Sequence, residues 1–369
     1  MKLRQIALVA ALGTTASFAS AQNVTLYGSV DQYFNHMKSS SGASFNAVND
    51  GSTLRSRYGI RGDEDLGGGS KVKFQLEAGL AANSGAAADT SRAFDRQTWI
   101  GYASSAGEFR IGRQNTAIFY RGDYIDFGSR TLGSVVNAFG TPSRYDNDLS
   151  YISPRMEGLM VEAHYSVAGT TAGTSSQAVY QTAVDYLNGP FRVGYAGIAG
   201  KAPSTAVYGT SMKYDNFYFN YDYGNGKIYA VYIRSNNNTA SGALFNGGTL
   251  LGNVGGVVAG TNAEASRFYR IEQLSADHKV TPQLRVGGLY GRIEDTSGNG
   301  KNANGYALGA YYDLSKRTTL LALYDSLKND PKAGFRPSGS AGLQTTFTTA
   351  NDVNGRTISG LQLGVVHRF

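Results

Sequence analysis

The chain has 369 residues, with 48 Gly, 25 Tyr, 17 Phe, 7 Pro, one Trp and no Cys, and a formal charge of +7. A mean hydropathy of -0.28 excludes a helical membrane protein, and the lack of cysteine excludes disulfide staples and thiol chemistry. The basic balance admits nucleic acid, anionic surfaces and anionic solutes as partners, and charge alone does not choose among them.

The N-terminus reads MKLRQIALVAALGTTASFASA: basic Lys2 and Arg4, an apolar stretch over 6–12, then Ala19-Ser20-Ala21. This is the pattern of a cleaved secretory signal peptide, the apolar run being too short to span a bilayer. Residues 1–21 are therefore expected to be removed and 22–369 to form one domain.

Beyond that segment the period is two. Val24, Leu26, Val30 and Phe34 share one face, and Thr25, Tyr27, Ser29, Asp31 and Asn35 the other. In KVKFQLEAGL, Val72, Phe74 and Leu76 alternate with Lys71, Lys73, Gln75 and Glu77, and the pattern returns at Leu159-Val161-Ala163-Tyr165 and Tyr306-Leu308-Ala310-Tyr312. Strands with one wet face also build antiparallel sandwiches, so the connections carry the distinction. Short turns at DLGGGS, SSAGE, SPRMEG, LNGP, GNGK, KVTPQ and LSKRT alternate with long polar segments throughout. That spacing predicts an all-β fold: a sixteen-stranded antiparallel transmembrane barrel with short periplasmic turns and long extracellular loops. KYDNFYF interrupts the parity, and a bulge near Asp215 and Asn216 is expected there.

In hydrocarbon every backbone donor must be paired, so the last strand has to close on the first. The C-terminal GLQLGVVHRF then places Leu361, Leu363, Val365 and Phe369 toward lipid and Gln362, Gly364, Val366 and Arg368 toward the lumen. His367 has lipid-side parity at headgroup depth. Parity also assigns Arg55, Arg57 and Arg61 to the lumen on the second strand, Lys71 and Lys73 on the third, Arg96 on the fourth, Arg110 on the fifth and Arg144 on the sixth. A ring of such cations favours anions, although the same residues also suit a merely solvated wall. The long connection after the fifth strand carries Ile118, Phe119, Phe127, Val135, Val136 and Phe139, too apolar to stand in solvent, and is expected to pack.

The segments NVTLYGSVDQYF, SRYGIRGDEDLGGGSKVKFQLEAG, RQTWIGYASSAGEFRIGRQ, YDNDLSYISPRMEGL, YYDLSKRTTL and VVHRF, in this order, resemble the general, non-specific porins of β-proteobacteria, a Gram-negative type. The resemblance extends over essentially the whole mature chain. It implies a homotrimer of sixteen-stranded barrels in the cell outer membrane, each with its own channel, and a third loop folded inward to narrow it. It further implies that Phe369, with basic Arg368 before it, is read by the outer-membrane assembly machinery. By the same resemblance Arg57, Arg96 and Arg144 match the basic cluster of anion-preferring members, flanked by Arg55, Arg61 and Lys73, while Asp123, Asp126 and Glu77 form the acidic side of the constriction. Asp123 and Asp126 could equally tie the loop to the wall.

The resulting expectation is passive diffusion of small hydrophilic solutes, anions foremost, with outer-membrane lipids around the barrel, no cofactor and no nucleic-acid partner. His36, His164, His278 and His367 lack metal-ligand spacing, and no G-x-S-x-G elbow supports a hydrolase, so neither a metal site nor an enzyme is expected. A substrate-specific channel and a surface adhesin using the long loops remain the alternatives.

Overall fold

In the computed structural model, the described residues are 23–167, 170–171, 174–175, 178–200, 212–235, 269–296, 298, 300–339 and 347–369. The expected signal segment at 1–21 lies outside them. Sixteen strands form the wall: β1 (Asn23–Ser39), β2 (Arg57–Gly67), β3 (Ser70–Ala81), β4 (Gln97–Ser104), β5 (Gly107–Asn115), β6 (Arg144–Ile152), β7 (Leu159–Ser166) and β8 (Val179–Asn188). They continue with β9 (Phe191–Gly200), β10 (Met212–Asp222), β11 (Gly226–Ser235), β12 (Tyr269–Lys279), β13 (Leu284–Asp295), β14 (Ala303–Asp313), β15 (Thr318–Asn329) and β16 (Thr357–Arg368).

Each strand runs antiparallel to the next, and β16 returns to β1 from Ser29↔Arg368 to Ser39↔Ile358. Past that ladder Gly28 and Phe369 exchange both backbone hydrogen bonds, at 3.0 and 3.1 Å, so pairing reaches the final residue. A closed sheet leaves no edge, which is what a hydrocarbon environment demands. Burial is inverted accordingly. Outward Leu26 and Leu274 are each 65% exposed, while inward Asp31, Asn35 and Gln362 are 0% exposed. Only a barrel bathed in lipid satisfies both sets at once.

Two irregularities shape the wall. The short strand Ser44–Asp50 pairs with the upper half of β1, from Gln32↔Asp50 to Lys38↔Ser44, along the edge that β2 leaves after Ser29↔Arg57. Between β5 and β6 the register shifts at Gly112/Gln114, where Arg113 alone stands opposite Asp146 and Asn147, so the extra residue belongs to β6, with Asn147 at a φ of 52°. The bulge expected near Asp215 is absent: β10 runs in unbroken register with both β9 and β11. Tyr214, Asn216 and Tyr218 are buried inward, whereas Phe217 and Phe219 are exposed outward. Aromatics stand on both faces of this strand because its inner face is covered by protein, so no added residue is required.

Candidate pore constriction

The inner wall has two unlike halves. On β1 to β6 the inward positions are polar or charged, as at Asp31, Glu77, Gln97, Arg110 and Asp148. On β8 to β15 many are apolar, as at Val179, Ile198, Tyr214, Ile233, Ile271, Ile293 and Ala307, with polar Gln181, Gln273 and Ser275 set among them. The third long loop, residues 116–143, lies against this apolar half. It contains a 3-10 turn at Phe119–Tyr124 and a short helix α1 (Val135–Phe139) capped at Ser134. Ile118, Ile125, Phe127, Val135, Val136 and Phe139 are all buried there. Phe139 sits among Tyr214, Tyr269 and Phe335, with ring centroids 5.5–6.3 Å apart.

Wall glycines make the seats. A Cβ at Gly287 or Gly309 would stand 2.5 or 2.8 Å from the Phe127 ring, and one at Gly291 or Gly305 would meet Val135 at 3.0 or 3.2 Å. Four side chains from three strands then fix the loop backbone. Gln181 accepts the Ala117 amide at 3.0 Å, Gln273 the Val135 amide at 2.9 Å and Ser275 the Phe127 amide at 3.0 Å, while Arg285 donates to the Phe127 carbonyl at 2.7 Å. Arg121 of the loop pairs with Glu162 of β7 at 2.8 Å. His164 bridges that Glu162 (2.8 Å) and Asp148 (2.6 Å) through its two ring nitrogens. Among the described residues no group of three or more His, Cys, Asp or Glu is arranged to hold a metal ion.

The sequence-selected residues fall into distinct places. Arg57 begins β2 and lies 3.9 Å from Glu77, which bonds Arg96 at 2.6 Å. The charge of Arg144 also acts on Glu77, so three guanidinium groups surround one carboxylate. Arg96 and Arg144 are each only 2% exposed. Arg96 precedes β4 rather than lying on it; Gln97 is the first inward residue of that strand. Arg144 is roofed by Phe119 of the loop, 4.8 Å from the ring, and Arg130 covers the same ring at 4.6 Å. Arg55 lies in the coil before β2, within electrostatic reach of Arg96, Asp95 and Asp50.

A cavity of ≈ 610 Å³ between wall and loop is lined by Arg57, Glu77, Asp123, Ser129 and Arg368 among others. Asp123 is therefore the loop carboxylate that meets the water, opposite Arg57. Asp126 is not: it is 1% exposed. Its carboxylate accepts from the amides of Gly128 (3.0 Å) and Arg130 (2.9 Å), from Ser134 (2.7 Å) and from Gln273 (2.8 Å). Burial pushes this carboxyl up from its ordinary range, with those four donors pulling the other way. Its placement is that of a loop anchor, which corrects the acidic constriction role expected for it. Arg61 and Lys73 line a separate cavity of ≈ 380 Å³ with Trp99, Arg110 and Tyr120. There Lys73 pairs with Glu108 at 2.7 Å and Arg110 stacks on Trp99 at 4.4 Å. Lys71 is taken by Asp63 at 3.0 Å.

Sequence parity missed Phe119 as the cover of Arg144 and the Arg113–Asp146 pair (2.6 Å). Arg113 keeps the outward parity of Phe109 and Ile111, so parity counts it as lipid-facing, and its partner Asp146 lies in the bulge of β6.

A closed barrel with lipid-facing apolar residues, an internal loop and a charged water-lined wall is a transmembrane channel. The chain belongs to the Gram-negative porin family, whose profile matches residues 7–332. Among similar proteins, an outer membrane porin protein of Bordetella pertussis is 28% identical, over 89% of this chain and 95% of its own. The major outer membrane protein P.IB of Neisseria meningitidis serogroup B is 27% identical over 87% and 92%, and outer membrane porin protein 32 of Delftia acidovorans is 25% identical over the whole of both chains. Of solved structures, an anion-selective porin from Comamonas acidovorans superposes with a TM-score of 0.75 at 23% identity, covering 94% of this chain and all of that one. The protein is a passive outer-membrane channel and not an enzyme.

Proposed function

We propose that this porin prefers anions, that the third loop narrows its channel, and that it works as a homotrimer exported by cleavage after residue 21, with Phe369 and Arg368 read during assembly. The observation that carries the anion preference is the gathering of Arg57, Arg96 and Arg144 around Glu77, with Phe119 of the loop over Arg144. Counting Arg57, Arg96, Arg144 and Arg368 against Glu77 and Asp123 leaves two positive charges at the narrow zone. Fixed charge in a low-dielectric constriction raises the local concentration of counter-ions. The likeness to a structure described as an anion-selective porin supports the same reading.

The loop's narrowing role is supported by its placement: 28 residues, 116–143, occupy one side of the lumen and leave the water against the basic side. The test is flux into liposomes of three solutes matched in size, a carboxylate, its neutral amide and an amine. The carboxylate should enter fastest in dilute buffer. Fastest entry by the amine would contradict the proposal.

A further inference from the structure

Between the short strand Ser44–Asp50 and β2, residues 51–56 run across the inner face of β1. Thr53 and Leu54 of this crossing line the ≈ 610 Å³ cavity, and its Ser52 carbonyl accepts the Leu132 amide of the third loop at 3.3 Å. The narrow zone is therefore framed by two irregular segments, the third loop and this one. The second carries Arg55 and leads into Arg57, the first residue of β2.

Most of its anchorage comes from one residue. Asp31 of β1 points inward and is 0% exposed, so no solute meets it. One oxygen of its carboxylate accepts from the Ser52 amide (3.1 Å) and hydroxyl (2.7 Å), the other from the amides of Thr53 (2.7 Å) and Leu54 (2.6 Å). The backbone of the same residue takes both ends of the crossing: its carbonyl accepts the Gly51 amide at 2.9 Å, and its amide donates to the Ser56 hydroxyl at 2.8 Å. All four partners of the carboxylate are donors, which suits the ionised form, and such charge-assisted bonds are about twice as strong as neutral ones. A brace is needed here. The charge of Arg96 acts on both Arg55 and Arg57, and like charges drive an unheld segment away.

We infer that Asp31 is a positioning residue for ion selection: its carboxylate braces residues 52–54 and so keeps Arg55 and Arg57 beside Arg96 at the narrow zone. The inference rests on the anion preference proposed above. An acid on a pore wall favours cations through its charge, whereas this one favours anions through the arginines it places. Charge and placement therefore predict opposite signs.

The test is the zero-current potential of Asp31→Asn in a dilute KCl gradient, measured in the wild-type and in an Arg55→Gln/Arg57→Gln background. Asparagine keeps the volume but turns an accepting oxygen into a donor, which then faces two of the four donors. Loss of the charge alone would raise the anion-to-cation permeability ratio by up to about twofold. Displacement of the arginines should instead lower it by at least about twofold. With both arginines already replaced nothing is left to position, and Asp31→Asn should leave the ratio unchanged or raise it. A general loosening of the barrel would lower the ratio equally in both backgrounds, so the difference between them isolates the positioning. Ser52→Ala, which removes one donor and leaves every charge in place, should also lower the ratio, and it decides the matter if Asp31→Asn yields no heat-modifiable barrel. A ratio that Asp31→Asn raises or leaves unchanged in the wild-type background, an equal fall in both backgrounds, or an unaltered ratio in Ser52→Ala would each overturn the role of Asp31 while the wild type stays anion-selective. A wild type that prefers cations would overturn the anion preference itself, and this inference with it.

Discussion

Glu77 and Asp123 both line the cavity between wall and loop, and their surroundings give these two carboxylates opposite roles. Glu77 is buried with Arg96, at 4% and 2% side-chain exposure, and lies beside Arg57. Removing one partner of a buried ion pair strands the other, at a cost of about 3–5 kcal/mol. Glu77→Gln should therefore lower the denaturation midpoint in guanidinium by that much stability. Asp123 is exposed to the cavity, and no such penalty applies. Asp123→Asn should leave stability within about 0.5 kcal/mol and raise the anion-to-cation permeability ratio. One charge acting across about 10 Å of water is worth about twofold. An unchanged ratio in bilayer recordings would remove Asp123 from the ion path.

At the scale of elements, the third loop and its wall are one packed unit. Gly309→Leu would drive a side chain into the Phe127 ring, which already lies 2.8 Å from a Cβ placed there. Overpacking of this kind costs about 1–3 kcal/mol, so the loop should loosen and single-channel conductance should rise, as it should on shortening residues 118–139. Unchanged conductance in both variants would place the loop outside the conducting path. On the extracellular side, helix α2 (Ala350–Val353) is clasped to the first hairpin: Ser39 donates to the Asp352 carbonyl and Ser41 to its carboxylate, each at 2.7 Å. The Thr349 and Ser41 hydroxyls hold the Asp352 carboxyl below the usual range. A depressed acid contributes stability that is present above its unfolded pKa, about 3.9, and lost as pH falls through the folded value. Amide exchange in 40–50 should accordingly be constant from pH 7 to 5 and accelerate, beyond the intrinsic pH effect, only below about pH 4; acceleration already at pH 6 would assign the clasp to another group.

For the whole molecule, closure runs to the last residue. Phe369 shares two backbone hydrogen bonds with Gly28, and its ring lies 2.4 Å from where a Cβ on Gly28 would stand. Deleting it should lower the yield of folded, heat-modifiable protein in the outer membrane, and normal yield would deny it an assembly role. The barrel was legible in the sequence because period-two alternation and the short-long rhythm of connections are local signals, and strand parity fixes faces from one residue to the next. The depth of Arg96 and Arg144 was not, since it depends on Phe119 roofing Arg144 from a loop that no periodicity places. The fate of Asp126 was hidden for the same reason: Gln273, one of its four donors, is 147 residues away. Tyr214 misled because an inner wall covered by protein accepts aromatics, whereas parity reasoning supposed a wet one. The central claim, a basic wall selecting anions, is tested most directly by the zero-current potential across a planar bilayer in a KCl gradient. Screening acts over about 10 Å at 0.1 M salt, so the account predicts an anion-selective potential that is largest in dilute KCl, fades as salt rises, and moves toward cation preference in Arg57→Gln/Arg96→Gln/Arg144→Gln. A wild-type potential of cation-selective sign in dilute KCl would contradict it.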